Sequence, residues 1–214
     1  MVIAIDGPAG SGKGTVTGII AEKLNLVTID TGATYRCVAL ECLNRGIGVE
    51  ETDKVIQVAS EVDIKFDEDK HVFLNDVDVT HEIRTTKVNN IVSPVSAIPK
   101  VREYMVALQR KMAEGKNVIM EGRDITTVVF PNAEYKFYLD ASAEERAKRR
   151  LKQNLENGIE STYEEVLESI QKRDYGDMHK EVGSLMRTPE QIYIDSTNLT
   201  IDEVVQEIIK HIEV

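Results

Sequence analysis

A chain of 214 residues with 42% hydrophobic and 29% charged residues can form one large domain, or a domain with a small insert, around a substantial core. Its formal net charge of -11 opposes duplex DNA or an anionic membrane as the main partner, and no apolar run approaches the length of a membrane span. The first residues enter a strand without the basic and apolar regions of a signal peptide, so a cytoplasmic location is expected.

The first element is the β-branched run Ile3-Ala4-Ile5-Asp6, followed by Gly7-Pro8-Ala9-Gly10-Ser11-Gly12-Lys13-Gly14-Thr15 and a helical pattern from Val16 to Leu24. A strand, a glycine-rich loop and a helix in this order form a phosphate-binding loop. The glycines let successive N–H groups face one point, the helix adds the positive end of its dipole, and Lys13 supplies a mobile charge for the outer phosphates of a nucleoside triphosphate. Gly14 follows the lysine where Ser or Thr is usual, so the hydroxyl arrives one residue late, at Thr15. That ending is the form associated with kinases of small phosphorylated substrates. The alternative, a flexible loop with no ligand, is disfavoured by the strand before it and the helix after it.

Val27-Thr28-Ile29 reads as a short buried strand ending at Asp30-Thr31-Gly32, with a helix from Ala33 to Leu43. The segment from Asp30 to Arg36 sets a hydroxyl, an aromatic and an arginine just past a strand's carboxyl end, where open α/β sheets bind ligands. Cys37 and Cys42 lie on this helix and point to different faces, so they read as reduced core or boundary residues. Residues 51 to 60 suggest another helix. Val62 to Phe66, His71 to Leu74 and Asp76 to Val79 then predict a small antiparallel sheet. His71 and His81 have no partners at ligand spacing and read as surface residues.

Helices are predicted at Thr86 to Val95 and Pro99 to Glu114, with Ser93 and Arg102 near their junction. Asn117 to Met120 is a buried parallel strand by its continuous apolar character, ending in Glu121-Gly122-Arg123-Asp124. Tyr135 to Asp140 is a further strand. The charged helix from Ala143 to about Leu155 reads either as a solvated face or, through Arg146 and Arg150 four apart, as a phosphate clamp. A capped helix runs from Thr162 to about Arg173, and Asp174 to Lys180, interrupted by Gly176, reads as a mobile flap. Ile192 to Asp195 is the last strand and Ile201 to Ile212 the closing amphipathic helix. Five core parallel strands with helices between them predict a three-layer α/β domain.

Taken together, GPAGSGKGT at 7–15, DTGATYR at 30–36, EGRDITTVVFPNAEYKFYLDAS at 121–142 and KRDYGDM at 172–178 resemble bacterial-type cytidylate kinases over nearly the whole length. The resemblance implies a P-loop nucleoside monophosphate kinase fold. Its core would be 1–60, 85–157 and 187–214, its substrate-binding insert about 61–84 and its helical lid about 158–186. It implies phosphoryl transfer from ATP, with Mg²⁺, to CMP or dCMP, with no nucleic-acid or membrane partner, by a monomer.

Residue by residue, the resemblance assigns Gly7, Pro8, Ala9, Gly10, Ser11, Gly12, Lys13, Gly14 and Thr15 to ATP. Thr31, Tyr35 and Arg36 would hold the nucleoside monophosphate. Ser93, Arg102 and Asp124 would read cytosine, Arg123 would contact phosphate, and Arg173 and Asp177 would bind sugar and phosphate. Lys13, Arg36, Arg123 and Arg173 are the catalytic candidates, and Thr15 and Glu121 would touch the metal through water. Two residues depart from the family pattern: Thr126 stands where Gly is usual, and Lys180 where an arginine is more common. Rival readings are a kinase of UMP, AMP or a small acid, a GTP-binding switch and a single-strand binder. The switch lacks an Asn-Lys-x-Asp reader, and the single-strand binder lacks positive charge and aromatic platforms.

Overall fold

The computed structural model describes residues 1–67, 70–156 and 158–212. Eight strands and eight α-helices follow one another along the described chain in the order β1 (Val2–Asp6), α1 (Lys13–Leu24), β2 (Val27–Asp30), α2 (Thr31–Asn44), α3 (Thr52–Glu61), β3 (Ile64–Phe66), β4 (Val72–Leu74), β5 (Val77–Asp78), α4 (Thr86–Ala97), α5 (Pro99–Ala113), β6 (Val118–Gly122), β7 (Tyr135–Asp140), α6 (Ala143–Glu156), α7 (Tyr163–Met178), β8 (Ile192–Asp195) and α8 (Ile201–Lys210). Strands β2, β6, β1, β7 and β8, in that order, make the expected five-stranded parallel sheet. Strands β3, β4 and β5 make the small antiparallel one.

The chain divides into two compact units, Met1–Thr28 with Lys116–Val214, and Ile29–Gly115. In the first, β1 is central because its residues can be buried on both faces. Ile3, Ala4 and Ile5 are fully enclosed, paired with Ile119, Met120 and Glu121 of β6 on one side and with Tyr135, Lys136 and Phe137 of β7 on the other. Val16 and Ile20 of α1 and Val204, Val205 and Ile208 of α8 cover this sheet. Thr200 caps α8, its hydroxyl accepting from Glu203 N while the Glu203 carboxylate accepts from Thr200 N.

Helix α7 departs from expectation. The proposed break at Gly176 does not occur, and the helix runs on through Gly176 to Met178. An isolated glycine costs a helix only about 1 kcal/mol. Here that cost is offset by packing of Val166 and Ile170 against Ala147 of α6 and by side-chain bonds from Asp174 and Asp177. Residues 174–178 are therefore helix rather than flap.

The second unit has its own apolar core, in which Val38, Val55, Val58, Ile83, Val88, Val95 and Val101 are essentially inaccessible. The small sheet contributes Ile64, Val72 and Leu74 to it. Pro94 lies inside α4 and withholds a donor from the helix ladder, directly after Ser93. His71 is on the surface, as expected, with Nδ1 2.9 Å from Asp67 Oδ2. Cys37 and Cys42 are buried free thiols, which burial pushes up to about 12 and about 11.

Candidate active site

The loop after β1 is shaped by close approach. A Cβ on Gly7 would sit 2.0 Å from the Leu139 carbonyl oxygen of β7, so only glycine fits. Gly12, at φ 93°, turns the chain into α1 and caps it without a side-chain hydrogen bond. The first-turn N–H groups of α1 are thus left for an anion.

Lys13 opens α1 and folds back into the loop. It is 4% exposed, and its Nζ donates to the Pro8 carbonyl at 2.8 Å and to Ser11 Oγ at 3.4 Å. The Glu121 carboxylate, at the end of β6, is 3.8 Å away. Burial first, and the Arg123 guanidinium next, pull the Lys13 pKa from 10.5 down to about 7; Glu121 and Asp6 oppose them. The loop therefore holds a dehydrated cation that an anion would stabilise. Gly14 lies beside Glu121, where an added Cβ would be 3.5 Å from Oε1, and Thr15 is exposed next to it.

A second group of cations converges on Asp177 of α7, itself 5% exposed. Arg123 Nε donates to one carboxylate oxygen at 2.8 Å and Lys180 Nζ to the other at 2.8 Å, while Arg173 Nε lies 4.0 Å off. Burial pushes the Asp177 carboxyl up, but Arg123 and Lys180 outweigh it and hold the group below the usual carboxylate range. Three residues expected at the site, Arg123, Arg173 and Asp177, are thus brought together, and Lys180 joins them. Arg123 and Arg173 are also near enough for their charge to act on Lys13. Asp124, next along, is buried.

Arg146 and Arg150 fare differently. Arg146 is buried, donating to the carbonyls of Ala141 and Ala9 and, through both terminal nitrogens, to Asp174 at 3.1 and 2.6 Å; Arg150 is exposed. Arg146 thereby ties the loop's Ala9 peptide to α7. The sequence reading missed Asp174 in this role, and it missed Asp6, whose buried carboxylate accepts from Ile125 N, Thr126 N and the Thr126 hydroxyl. A charged residue ending a buried strand, just before a phosphate loop, was the available signal.

In the second unit, Asp30 caps α2 by accepting from Ala33 N at 3.0 Å, which sets Thr31, Tyr35 and Arg36 on the first turns of that helix. Arg36 donates to the Ile83 carbonyl at 3.0 Å and to Asn89 Oδ1 at 2.6 Å. The Arg102 guanidinium lies 5.2 Å above the Tyr35 ring and donates to the Ser96 carbonyl. Ser93 is exposed.

A parallel sheet whose central strand feeds a glycine-rich turn, with a buried lysine reaching back into it, defines a P-loop nucleotide-binding α/β protein. The fold is shared with solved structures of low identity. An uncharacterized protein from Eubacterium ventriosum matches with a TM-score of 0.55 at 14% identity, covering 99% of this chain and 97% of that one. TT1252 from Thermus thermophilus matches at 0.50 and 17%, covering 100% and 98%. The sequence profile described as cytidylate kinase matches residues 3–214. Curated relatives include the cytidylate kinases of Clostridioides difficile, 46% identical with 99% of this chain and 98% of that protein covered, and of Caldanaerobacter subterraneus, 49% identical with 96% and 92% covered. The chain belongs to the cytidylate kinase family.

Proposed function

We infer that the protein transfers the γ-phosphoryl group of ATP to CMP or dCMP, giving ADP and the cytidine diphosphate. The observation that carries this reading is the dehydrated Lys13 inside the loop, acted on by the charges of Arg123 and Arg173, in a chain of this family. Phosphoryl transfer needs in-line positioning and positive charge around the moving group rather than covalent help. The loop N–H groups and Lys13 hold the outer phosphates of ATP, and Arg123 and Arg173 stabilise the charge that develops in transit. Asp177 orients Arg123 through its Nε.

On the acceptor side, Thr31, Tyr35 and Arg36 hold the monophosphate. Ser93 and Arg102 donate to cytosine N3 and O2, and Asp124 accepts from the N4 amine. Uracil sets a carbonyl against that carboxylate, and a site built for hydrogen bonds rejects such a mismatch strongly. The region about 158–186, with α7 at its centre, excludes water when both nucleotides are bound.

Thr15 and Glu121 fit Mg²⁺, which is held by one or two carboxylates and substrate phosphates and keeps several waters. Among the described residues no cluster of three or more His, Cys, Asp or Glu offers a closed protein cage. The ion would neutralise charge on the triphosphate oxygens. The two buried free thiols suit a reducing compartment, and we place the reaction in the cytoplasm.

Coupled ADP-release assays across CMP, dCMP, UMP and AMP test the reading. CMP and dCMP should be turned over well above the others. Asp124→Ala should cut the CMP over UMP preference at least about tenfold. Equal turnover of UMP or AMP would transfer the assignment to another monophosphate kinase.

A further inference from the structure

Asp6 is the last residue of β1 and is fully buried directly before Gly7. Both its oxygens are engaged. Oδ1 accepts from Ile125 N at 2.8 Å, and Oδ2 accepts from Thr126 N at 2.9 Å and from the Thr126 hydroxyl at 2.5 Å. The hydroxyl in turn accepts from Gln191 Nε2 at 2.5 Å, and Gln191 Oε1 accepts from Thr188 N at 2.7 Å. The Ile125 and Thr126 N–H groups and the Thr126 hydroxyl all donate to Asp6, so the polarity at its two oxygens fits an ionised carboxylate. Burial pushes the carboxyl above the usual carboxylate range, the neighbouring Asp124 charge adds to that rise, and the bonds from Thr126 and Ile125 offset it only in part.

An enclosed carboxylate is costly wherever apolar packing would serve, and its retention calls for a role. Its location suggests one. Ile125 and Thr126 begin a π-type turn in which Val129 N bonds to the Asp124 carbonyl at 3.1 Å and Phe130 N to the Ile125 carbonyl at 2.7 Å. Turns of this kind redirect a chain, and here the two residues leaving β6 into the turn are Arg123 and Asp124. Asp6 thus pins the exit of Arg123 and Asp124 to the residue that starts the phosphate loop, and its charge acts on Lys13.

We propose that Asp6, with Thr126 and Gln191, is a positioning element for base selection. It fixes the direction in which Asp124 leaves β6, and so sets the preference for cytosine over uracil. This rests on Asp124 as the cytosine reader.

The test compares kcat/KM for CMP and UMP, together with KM for ATP, in five variants. Thr126→Val keeps the shape and the peptide N–H but removes the hydroxyl. It should lower the CMP to UMP ratio about tenfold, with KM for ATP within about twofold, since small displacements of a reading group cost up to about a hundredfold. Thr126→Ser should restore the ratio. Asp6→Asn, which turns an amide donor toward the N–H groups, should lower it further; if that variant does not fold, Thr126→Val carries the test. Thr126→Val added to Asp124→Ala should lower the ratio no further than Asp124→Ala alone. A ratio unchanged in Thr126→Val while Asp124→Ala loses it overturns the positioning role. An unchanged ratio in Asp124→Ala itself overturns the cytosine-reading assignment, and the inference falls with it.

Discussion

Among the described residues, the unit carrying the phosphate loop encloses the charged side chains of Asp6, Lys13, Asp124, Arg146 and Asp177, whereas the unit Ile29–Gly115 encloses only Arg102. The second unit's remaining buried polar groups are Thr31, Thr34, Ser96 and Gln109, set into an apolar core. Dehydrated charge destabilises a fold unless it is paired, yet it is worth most to a reaction that moves charge, because no solvent has to reorganise around it. The first unit therefore trades stability for a prepared electrostatic environment. The second is built more like an ordinary small domain core.

Replacing Lys13 should separate these two sides of the trade most clearly. Lys13→Met should lower kcat/KM by about 10³-fold or more. It should also make the nucleotide-free protein more stable at pH 7 by about 1–3 kcal/mol, since a buried ammonium is replaced by a chain of similar length. The pH dependence has a definite sign. The folded-state pKa of Lys13 is lowered to about 7 from 10.5. Above pH 7 the unfolded chain holds the proton that the folded one has released, so this group's destabilisation is full below that pH and fades as pH rises toward 10.5. Urea unfolding of both proteins from pH 6 to 10 checks this: the wild type should gain stability relative to Lys13→Met across that range. A parallel pair of curves would mean that Lys13 is not dehydrated.

A smaller effect is expected at Asp174. Asp174→Ala leaves Arg146 buried without its carboxylate and should cost about 3 kcal/mol in urea or thermal unfolding. If the unfolding midpoint does not move, the link between Ala9 and α7 is not structural. The smallest effect belongs to the second unit. Gln109 is fully buried, its Nε2 donating to Thr34 Oγ1 at 2.9 Å and its Oε1 having no partner among the described residues. Gln109→Leu should change stability by no more than about 1 kcal/mol, with a gain as the favoured direction, because an unsatisfied acceptor is removed. A loss of several kcal/mol would show that both units depend on buried polar groups alike.

The sequence was most readable where structure is local. Strand β7 lies at Tyr135–Asp140, where the sequence places it, and the phosphate loop needs only its own glycines and lysine to be recognised. Readability ended where a residue's role depends on a distant partner. Gly176 looks like a helix breaker in isolation, yet Asp174 reaches Arg146 across 28 positions and Asp177 reaches Arg123 across 54. Asp6 bonds to a turn about 120 residues away, with separations of 119 and 120, and no local pattern encodes that. The same holds for Arg146. Spacing put it on one helical face with Arg150, but only the tertiary fold decides that Arg146 is enclosed by Ala9 and Asp174 while Arg150 remains in solvent.

Proton uptake on nucleotide binding tests the prepared cation most directly. At pH 8 a Lys13 with a pKa of about 7 is largely neutral in the free protein, and the anion that enters the loop should recharge it. Calorimetric titration with ATP in buffers of different ionisation enthalpy should then register net proton uptake for the wild type. Lys13→Arg, whose guanidinium stays charged at every accessible pH, should register almost none. Binding without uptake in the wild type, or equal uptake in both proteins, would contradict the account.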